Sequence, residues 1–339
     1  MIKGLIRLFS RLFIFTSLTG VIAVLGVSVW FYDYRTQPGI VTEDKLFFVR
    51  PGMNHNQLKQ ALREQGYVRA SWHYPLMRFS YSLIDDASFQ PKAGEFFIPA
   101  RASLYDVFKI IDEGSPYQHR FTVVEGMLVK DVISALKADD RLVGSIGSFP
   151  KEGALAPETY FFVRGEKRRD LLDRMQQRQE MLLAQEWANR QTGLPYKSPQ
   201  EALIMASIIE KEAAIIGEQA LVSSVFINRI RKKMRLQSDA TVLYGVIQNE
   251  GDIRRLLKSD LQKDGPYNSY RRAGLPPSPI ANPGHKAIIA ALNPIPSPYY
   301  YFVADGQGGH KFATNLEDHN RNVQNYRKWR ASQAKKDAE

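Results

Sequence analysis

The sequence predicts an α+β protein with a single N-terminal transmembrane helix, a small β-α-α-β subdomain and a larger mixed α/β domain. A long uncharged stretch opens the chain, and short strand-like runs then alternate with amphipathic helical patterns. With 339 residues, of which 44% are hydrophobic and 24% charged, the chain is long enough for two domains beyond a membrane anchor.

The N-terminal region has the pattern of an uncleaved membrane anchor. Residues 1–11 carry three basic and no acidic side chains, and residues 12–32 carry no charge. About 20 apolar residues are needed to span a bilayer, and a basic flank stays in the cytoplasm. We therefore expect the N-terminus inside and the chain after a tether at 33–45 outside. A cleaved signal peptide is the alternative, but no small-x-small cleavage site follows the run.

A short strand, a turn and an amphipathic helix recur three times after the tether. The strands begin near Phe48, Phe97 and Val123, and each predicted helix has about three turns. The β-α-α-β order and the size of residues 46–116 are those of a lysine-motif (LysM) glycan-binding module. Chance recurrence of a common pattern is the alternative interpretation of the repeat.

Composition narrows the possible partners. The net charge of +11 is compatible with an anionic polymer, an anionic lipid surface or nucleic acid. No nucleic-acid-binding motif is present, so we expect no nucleic-acid partner. Without cysteine the chain forms no disulfide and has no thiolate chemistry. The six histidines lack metal-ligand spacing, and we expect neither a metal nor a cofactor.

The stretch 198–212 predicts a helix enclosed within the larger domain. Ser198 can cap this helix, Pro199 suits its first position and Glu201 can complete a capping box. The body that follows is strongly apolar, as in a helix buried on all sides.

The sequence predicts only some of the elements that follow this helix. A second helix covers about 218–233, and regular helical periodicity fades from residue 234 onward. Beyond that point we predict a helix at about 284–293, a β-hairpin whose strands cover 299–304 and 310–313, a final amphipathic helix and a frayed tail at 331–339.

The apolar helix ends in the sequence Glu210-Lys211-Glu212. At about 100° per residue, Glu210 and Lys211 lie on the side that can reach solvent, whereas Glu212 lies among isoleucines. An apolar setting raises the pKa of a carboxyl and makes it a general acid at neutral pH. An ion pair between Glu212 and Arg229 or Arg235 is the alternative.

Polar and aromatic clusters supply further candidate site residues. Aromatic rings can lie against sugar rings, and amides can bond hydroxyl and N-acetyl groups, so these clusters favour a carbohydrate ligand. Ordinary packing is the alternative for each residue taken alone. The candidates are Glu158, Tyr160, Asp239, Tyr244, Asn268, Tyr270 and Asn315.

Several strings, in order along the chain, resemble the signature motifs of the endolytic murein transglycosylase (MltG, or YceG-like) family. That family has an N-terminal anchor, a LysM-like subdomain and a catalytic domain. Two positions depart from its pattern: Glu158 stands where the family usually has Asp, and Ala240 where it usually has Pro. The strings lie at 206–212, 225–229, 236–242, 267–270, 274–277, 282–284, 301–303 and 309–312.

The resemblance implies lytic cleavage of MurNAc-β-1,4-GlcNAc bonds within peptidoglycan strands. Such cleavage leaves 1,6-anhydro-MurNAc ends and limits the length of nascent strands. The resemblance places the catalytic carboxyl at Glu212, the residue that the helical wheel selects independently. It makes residues 117–330 the catalytic domain, with these substrate-binding or positioning residues: Glu158, Gln237, Asp239, Tyr244, Asn268, Tyr270, His310 and Asn315.

The resemblance also implies a location and partners. The protein would be a single-pass protein of the cytoplasmic (inner) membrane with its catalytic domain in the periplasm. Peptidoglycan strands would be its substrate, and peptidoglycan synthases its protein partners. Two other functions stay open: a non-catalytic, membrane-tethered glycan-binding or scaffold protein, and a hydrolase that uses Glu158 as the second of two acids.

Overall fold

The structure, a computed structural model, describes residues 2–85, 88–213, 215–251 and 255–336. It confirms a mixed α+β architecture, in which the described residues form helices and three two-stranded sheets. The chain divides into two compact units. The first comprises Met1–His119 with Val163–Gly165, and the second comprises Arg120–Phe162 with Glu166–Glu339.

The first unit begins with one long helix, α1 (Ile2–Thr36). Its segment Phe13–Thr36 is, among the described residues, the one helix long and apolar enough to cross a membrane. The helix extends beyond the predicted span of 12–32 into residues expected to be a tail and a tether. No proline occurs before Pro38, so no residue interrupts the helical hydrogen bonding before α1 ends at Thr36.

The rest of the first unit has the predicted β-α-α-β order. Its elements are β1 (Lys45–Val49), α2 (His55–Glu64), α3 (His73–Ile84), β2 (Gly94–Ile98) and a further helix, α4 (Leu104–Glu113). β1 and β2 pair antiparallel, with Phe47 opposite Phe96. Both rings are fully buried and centre the core of this unit.

A strand, a turn and a helix are present at all three predicted places, but the third strand ends at Thr122, before the predicted Val123. The third copy consists of β3 (Gln118–Thr122) and α5 (Val129–Ala138). In each copy a strand of five residues leads through a turn into a helix of ten residues. Capping boxes at Asn54 and Ser103 begin the first two of these helices.

The second unit is built mainly from helices. β3 pairs with β4 (Thr159–Val163), and the closing hairpin pairs β5 (Tyr301–Ala304) with β6 (His310–Ala313). Short 3-10 turns lie at Ile216–Glu218 and Asp260–Gln262. The helices are α6 (Arg168–Ala188), α7 (Pro199–Glu212), α8 (Gln219–Arg231), α9 (Asp239–Glu250), α10 (His285–Leu292) and α11 (Leu316–Lys336).

Helix α7 is the central helix of the second unit. All eight residues from 202 to 209 are buried, and α6, α8, α9 and α10 pack around it. The Ser198 hydroxyl accepts a hydrogen bond from the amide of Glu201, as predicted. The predicted capping box is wrong in its second half, because the Glu201 carboxylate accepts from the amide of Lys197 at 2.7 Å. The extended backbone of Ser198 brings that preceding amide within its reach.

Two predictions about the C-terminal half are corrected. Helix α9 forms in a region where the sequence shows no regular helical periodicity. Its buried positions are spread around the helix and leave no single apolar face, so the periodic pattern of an amphipathic helix is missing. Helix α11 continues through the predicted tail to Lys336, and residues 337–339 lie outside the described residues. The predicted hairpin is confirmed, with Tyr301 opposite Ala313.

Candidate functional site

The C-terminal end of α7 opens into a cavity of about 660 Å³ in the second unit. This volume is within the range of small-ligand sites. The end of α7, the start of α9, the β5–β6 hairpin and α11 contribute to its wall. Its ionisable and aromatic lining includes Glu212, Asp239, Arg229, His310, Tyr270 and Tyr301.

Glu212, the last residue of α7, carries a carboxyl whose pKa is raised. Burial raises its pKa, and the negative charge of Asp239 raises it further. The position at a helix C-terminus acts in the same direction, because the helix dipole disfavours a negative charge there. The hydroxyl of Ser238, the amide of Ala240 and the charge of His310 oppose these effects without cancelling them.

The alternative ion pair of Glu212 does not form. Arg229 is buried and donates to the carbonyl oxygens of Tyr300 at 2.6 Å and Leu236 at 2.9 Å, and to Oε1 of Gln237 at 3.1 Å. Its guanidinium also lies over the ring of a cavity aromatic, 5.0 Å from the centroid of Tyr301. Arg229 thus fixes the loop before α9, while Glu212 stays available to a ligand.

The hydroxyl that meets Glu212 is held by a buried polar network. The amide of Ser238 donates to Oγ of Ser269 at 2.9 Å, and the Thr241 hydroxyl donates to the carbonyl of Ser238 at 2.8 Å. The preceding residue, Gln237, has φ of 53°, in the left-handed region that non-glycine residues rarely adopt. The network therefore holds strained backbone that presents Ser238 to the carboxyl.

A second carboxyl, Asp239, lines the same cavity. The Tyr270 hydroxyl donates to its Oδ1 at 2.7 Å. Burial and this contact raise the pKa of Tyr270, so the phenol stays protonated and remains a donor. Asp239 is thereby paired with a neutral partner, and its charge acts on Glu212.

His310 is fixed at the cavity wall by Glu218. Its Nδ1 lies 2.7 Å from Oε2 of Glu218, and its backbone amide donates to Oε1 of the same carboxylate at 3.1 Å. This contact assigns the Nδ1 proton to the Glu218 side. Glu218 lies in the short turn after α7, and His310 lies in β6. Their contact therefore connects the α7 side of the cavity wall to the β5–β6 hairpin.

Five of the predicted site residues therefore share one cavity with Glu212 among them: Glu212, Gln237, Asp239, Tyr270 and His310. The structure does not bring Glu158 to it. The Glu158 carboxylate forms an ion pair with Arg178 at 2.8 Å, and Tyr160 donates its hydroxyl to the carbonyl of Ala156. Glu158 lies just before β4 and is held by Arg178 of α6, and Tyr160 of β4 is buried in the local core.

Three further predicted residues have local structural contacts. Nδ2 of Asn268 donates to backbone carbonyls of the 260–263 turn, including Lys263 at 2.6 Å. Asn315 accepts from the amide of Asp318 at 2.9 Å and caps α11. Tyr244 packs against Tyr267, with ring centroids 4.9 Å apart, and lines a separate cavity beside Glu152. The sequence cannot distinguish these contacts from sugar-binding ones, because the same side chains serve both.

Glu210 is not the solvent-facing residue that the helical wheel predicts. It is partly buried and accepts a hydrogen bond from the amide of Gly284 at 2.9 Å, while Lys211 is exposed and donates to the carbonyl of Gly126. Burial raises the pKa of Glu210 as well. A raised pKa therefore does not distinguish Glu210 from Glu212. The cavity distinguishes them, because of the two only Glu212 lines it.

Sequence reasoning missed several residues of the wall. Arg229 and Tyr301 of the wall, and the buried Ser238 that contacts Glu212, lie inside strings that resemble the family motifs, so that signal was present. His319 and Arg327 come from α11, where an amphipathic pattern gives no sign of a site. Within the part of the chain that the structure describes, no cluster of three or more His, Asp or Glu side chains is placed to hold a metal ion.

Fold and site together define an α+β protein in which a partly buried carboxyl, at the end of a core helix, faces a polar and aromatic cavity. Residues 47–325 match the family model of the YceG-like family. The match covers most of the chain, and the protein belongs to the YceG-like family.

Relatives with assigned names match parts of the chain. An endolytic murein transglycosylase of Bacillus subtilis is 43% identical over 129 residues, which is 38% of this chain and 35% of the relative. One of Streptococcus pneumoniae is 34% identical over 175 residues, 51% of this chain and 31% of the relative. The chain thus spans about a third of the length of these relatives. A crystal structure of a YceG-like protein from Listeria monocytogenes is 26% identical with a TM-score of 0.49, covering 83% of this chain and 99% of that one.

Proposed function

We propose that this protein is a membrane-anchored lytic transglycosylase that cleaves MurNAc-β-1,4-GlcNAc bonds within peptidoglycan strands. The observation that carries the proposal is the carboxyl of Glu212, whose pKa is raised and which faces a cavity large enough for sugar rings. Membership of the YceG-like family and relatives named endolytic murein transglycosylase support the same substrate and reaction.

The lining of the cavity suits a glycan. Tyr270 and Phe302 offer aromatic side chains, while Gln237 and Asn320 offer amides for hydroxyl and N-acetyl groups. Directed polar groups beside aromatic side chains can orient a bound ligand.

One carboxyl can perform both proton transfers of the reaction. Protonated Glu212 donates to the departing glycosidic oxygen, and the N-acetyl group of the substrate stabilises the positive charge at the anomeric carbon. Ionised Glu212 then accepts the proton of the C6 hydroxyl, whose oxygen attacks that carbon and closes the 1,6-anhydro ring. No water is consumed. General acid–base help of this kind contributes about 10²- to 10⁴-fold.

Two contacts suit Glu212 to alternate between its protonated and ionised forms. Hydrogen bonds from the Ser238 hydroxyl and the Ala240 amide stabilise the ionised form, and burial with the charge of Asp239 favours the protonated form. Both forms are needed in turn, so opposing influences of this kind keep the carboxyl usable in both steps.

A hydrolase is the second candidate, and the position of Asp239 favours it. Hydrolases use two carboxyl groups, and Asp239 shares the cavity with Glu212 whereas Glu158 is ion-paired to Arg178. A hydrolase would release reducing ends, because water and not the C6 hydroxyl would attack.

The anchor gives the proposed enzyme its location. We propose that α1 crosses the cytoplasmic membrane with its N-terminus inside, so that residues 117–330 act as the catalytic domain in the periplasm. The β-α-α-β order of residues 46–116 supports a LysM-like subdomain. Peptidoglycan synthases, which make strands at the same membrane surface, are the proposed protein partners.

The experiment that tests this function is product analysis. The detergent-solubilised full-length protein is incubated with peptidoglycan strands, and the new chain ends are identified by mass spectrometry. We expect 1,6-anhydro-MurNAc ends at internal positions. New reducing ends would identify the hydrolase, and binding without any new ends would identify a scaffold protein.

A further inference from the structure

Helix α3 of the first unit has an apolar stripe that faces solvent. Trp72 at its N-cap is 50% exposed, and Phe79 and Leu83 are 61% and 66% exposed. At about 100° per residue these three side chains lie within a narrow sector of the helix. The opposite side buries Tyr74, Met77, Ser80 and Tyr81 in the core of the unit. The helix is therefore apolar on both sides, and beyond Trp72 its outer side exposes Phe79 and Leu83 to solvent.

The start of α3 is packed against the end of α1. The Tyr34 ring stacks on Trp72 with centroids 5.9 Å apart, and it also stacks on Trp30 at 5.8 Å. The Tyr34 hydroxyl donates to the carbonyl of His73 at 3.0 Å. Trp72 thus continues the row of stacked aromatic rings, Trp30 and Tyr34, at the C-terminal end of α1.

The far end of α3 is attached to the next residue of α1. Arg35, buried at 7% exposure, forms an ion pair with Asp85 at 2.8 Å, and Asp85 is the C-cap of α3. Both ends of a helix about 18 Å long are therefore tied to two consecutive residues, Tyr34 and Arg35. These contacts fix α3 to the C-terminal end of α1.

This arrangement sets the depth of α3 if α1 spans a bilayer. The 24 residues of Phe13–Thr36 extend about 36 Å, a few ångströms more than the hydrocarbon core of about 30 Å. The last turns, with Trp30 and Tyr34, then lie among the lipid headgroups, where aromatic side chains are favoured. Trp72 lies at the same level, because it stacks on Tyr34.

A basic cavity adjoins the apolar stripe. Its volume is about 450 Å³, and Pro75 and Phe79 of the α3 surface belong to its lining together with Lys59 and Arg78. Two cationic side chains next to exposed apolar ones match the two parts of a phospholipid, an anionic headgroup and its acyl chains.

We propose that α3 is an interfacial helix: its Trp72–Leu83 stripe embeds in the outer headgroup region, and the adjoining cavity holds the headgroup of an anionic phospholipid. The proposal rests on the membrane anchoring proposed above and not on the chemistry of Glu212. A first unit bound to the bilayer surface cannot swing freely about its anchor. The enzyme would then be restricted to strands close to the membrane.

The absence of cysteine allows a direct test. Single cysteines are placed at Phe79→Cys or Leu83→Cys in the full-length protein, labelled with an environment-sensitive fluorophore and reconstituted into lipid nanodiscs. We expect blue-shifted emission and strong quenching by lipids that carry a nitroxide near the headgroup. Gln60→Cys, at an exposed polar position of α2, is the matched control and should stay in water.

A label within α1 separates this inference from the anchoring itself. Val21→Cys should be quenched only by nitroxides deep in the acyl chains. If Val21 lies in lipid while Phe79 and Leu83 both respond like Gln60, α3 does not touch the membrane and the inference is overturned. If Val21 is itself in water, the proposed anchor fails.

The headgroup cavity is tested by comparing nanodiscs of zwitterionic lipid with nanodiscs that contain phosphatidylglycerol. Quenching at Leu83→Cys should be stronger with the anionic lipid. Adding Lys59→Gln and Arg78→Gln should weaken that preference by on the order of tenfold. Arg63→Gln with Lys109→Gln, two exposed cations outside the cavity, should leave it unchanged. Equal responses to both lipids in the parent protein would remove the anionic headgroup from the proposal.

Discussion

Glu210 and Glu212 lie two residues apart at the end of one helix, and burial raises the pKa of both carboxyls. Their contacts differ. Glu210 accepts from the amide of Gly284 and belongs to the packing between α7 and α10, whereas Glu212 lines the cavity. A raised pKa alone indicates a buried acid, and access to a ligand is what makes such an acid usable in catalysis.

Replacement of Glu212 by Gln tests the role of that access. We expect Glu212→Gln to lose at least about 10²-fold of activity, because an amide cannot transfer the proton. The release of anhydro-ended glycans, with thermal unfolding of the same sample, measures activity and folding together. Glu210→Gln is the matched control: its amide oxygen can still accept from Gly284, so most activity should remain. Loss of activity in Glu210→Gln but not in Glu212→Gln would reverse the assignment.

The Ser238 hydroxyl should set the upper pH limit of the reaction. It stabilises ionised Glu212, so Ser238→Ala raises the pKa of that carboxyl further. Activity needs protonated Glu212 and falls as pH rises through this pKa. We therefore expect the alkaline limb of the pH–rate profile to move to higher pH in Ser238→Ala, with a lower maximum rate.

Ser224→Ala is the control for the pH profile. This buried hydroxyl donates to the carbonyl of Leu221 and contacts Ser297, away from Glu212. Its loss should leave the position of the limb unchanged. A limb that does not move in Ser238→Ala, or that moves to lower pH, would show that another group controls the reaction.

At the scale of elements, a loop residue holds the surroundings of α7 together. Asn282 is fully buried; its Oδ1 accepts from the amide of Leu155 at 3.0 Å and its Nδ2 donates to the carbonyl of Met127 at 2.9 Å. The backbone carbonyl of Asn282 also accepts from the amide of Gly126. One side chain thus satisfies backbone groups of two other loops, which have no regular partner in a sheet or helix.

Removing this side chain should destabilise the second unit. Asn282→Ala leaves the buried amide of Leu155 without a partner, at a cost of about 1–3 kcal/mol, and removes one of the two hydrogen bonds to the Met127 carbonyl, which keeps the backbone amide of residue 282. We expect a decrease of about 2–4 kcal/mol in the free energy of unfolding, measured by denaturant titration. Asn189→Ala, at an exposed helix end, should change it by less than about 0.5 kcal/mol. Equal effects of the two substitutions would contradict this account of Asn282.

At the scale of the whole molecule, the anchor decides where the chemistry occurs. The basic residues before the apolar segment, Lys3, Arg7 and Arg11, favour a cytoplasmic N-terminus. Everything after α1 would then meet the cell wall and not the cytoplasm. This orientation is a requirement of the proposed function, because peptidoglycan lies outside the membrane.

Protease protection tests the orientation. With epitope tags at the two ends, protease added to spheroplasts should remove the C-terminal tag and spare the N-terminal one. After the membrane is permeabilised both tags should disappear. Protection of the C-terminal tag before permeabilisation would place the cavity in the cytoplasm and exclude the proposed substrate.

Much of the architecture follows from local sequence. The apolar run before residue 36, the three strand–turn–helix copies, the buried helix α7 and the β5–β6 hairpin all have patterns that depend on neighbouring residues, and each is present. Helix α9 was not predicted, since its buried positions have no single face and its stability comes from packing against other elements. Its absence from the prediction also hid Ser238 as the residue beside Glu212.

The sequence by itself determined the α+β class, the apolar N-terminal helix and the buried helix α7 that ends in Glu210 and Glu212, because these patterns depend on neighbouring residues. Helical periodicity did not separate the two carboxyls, since both are partly buried, and only the cavity distinguishes Glu212. The tertiary structure decided which side chains meet. It brings Gln237, Asp239, Tyr270 and His310 to Glu212 and leaves Glu158, Tyr244, Asn268 and Asn315 elsewhere. A carboxylate, amide or phenol has the same identity in a sugar site and in a loop contact, and only long-range packing assigns it to one or the other.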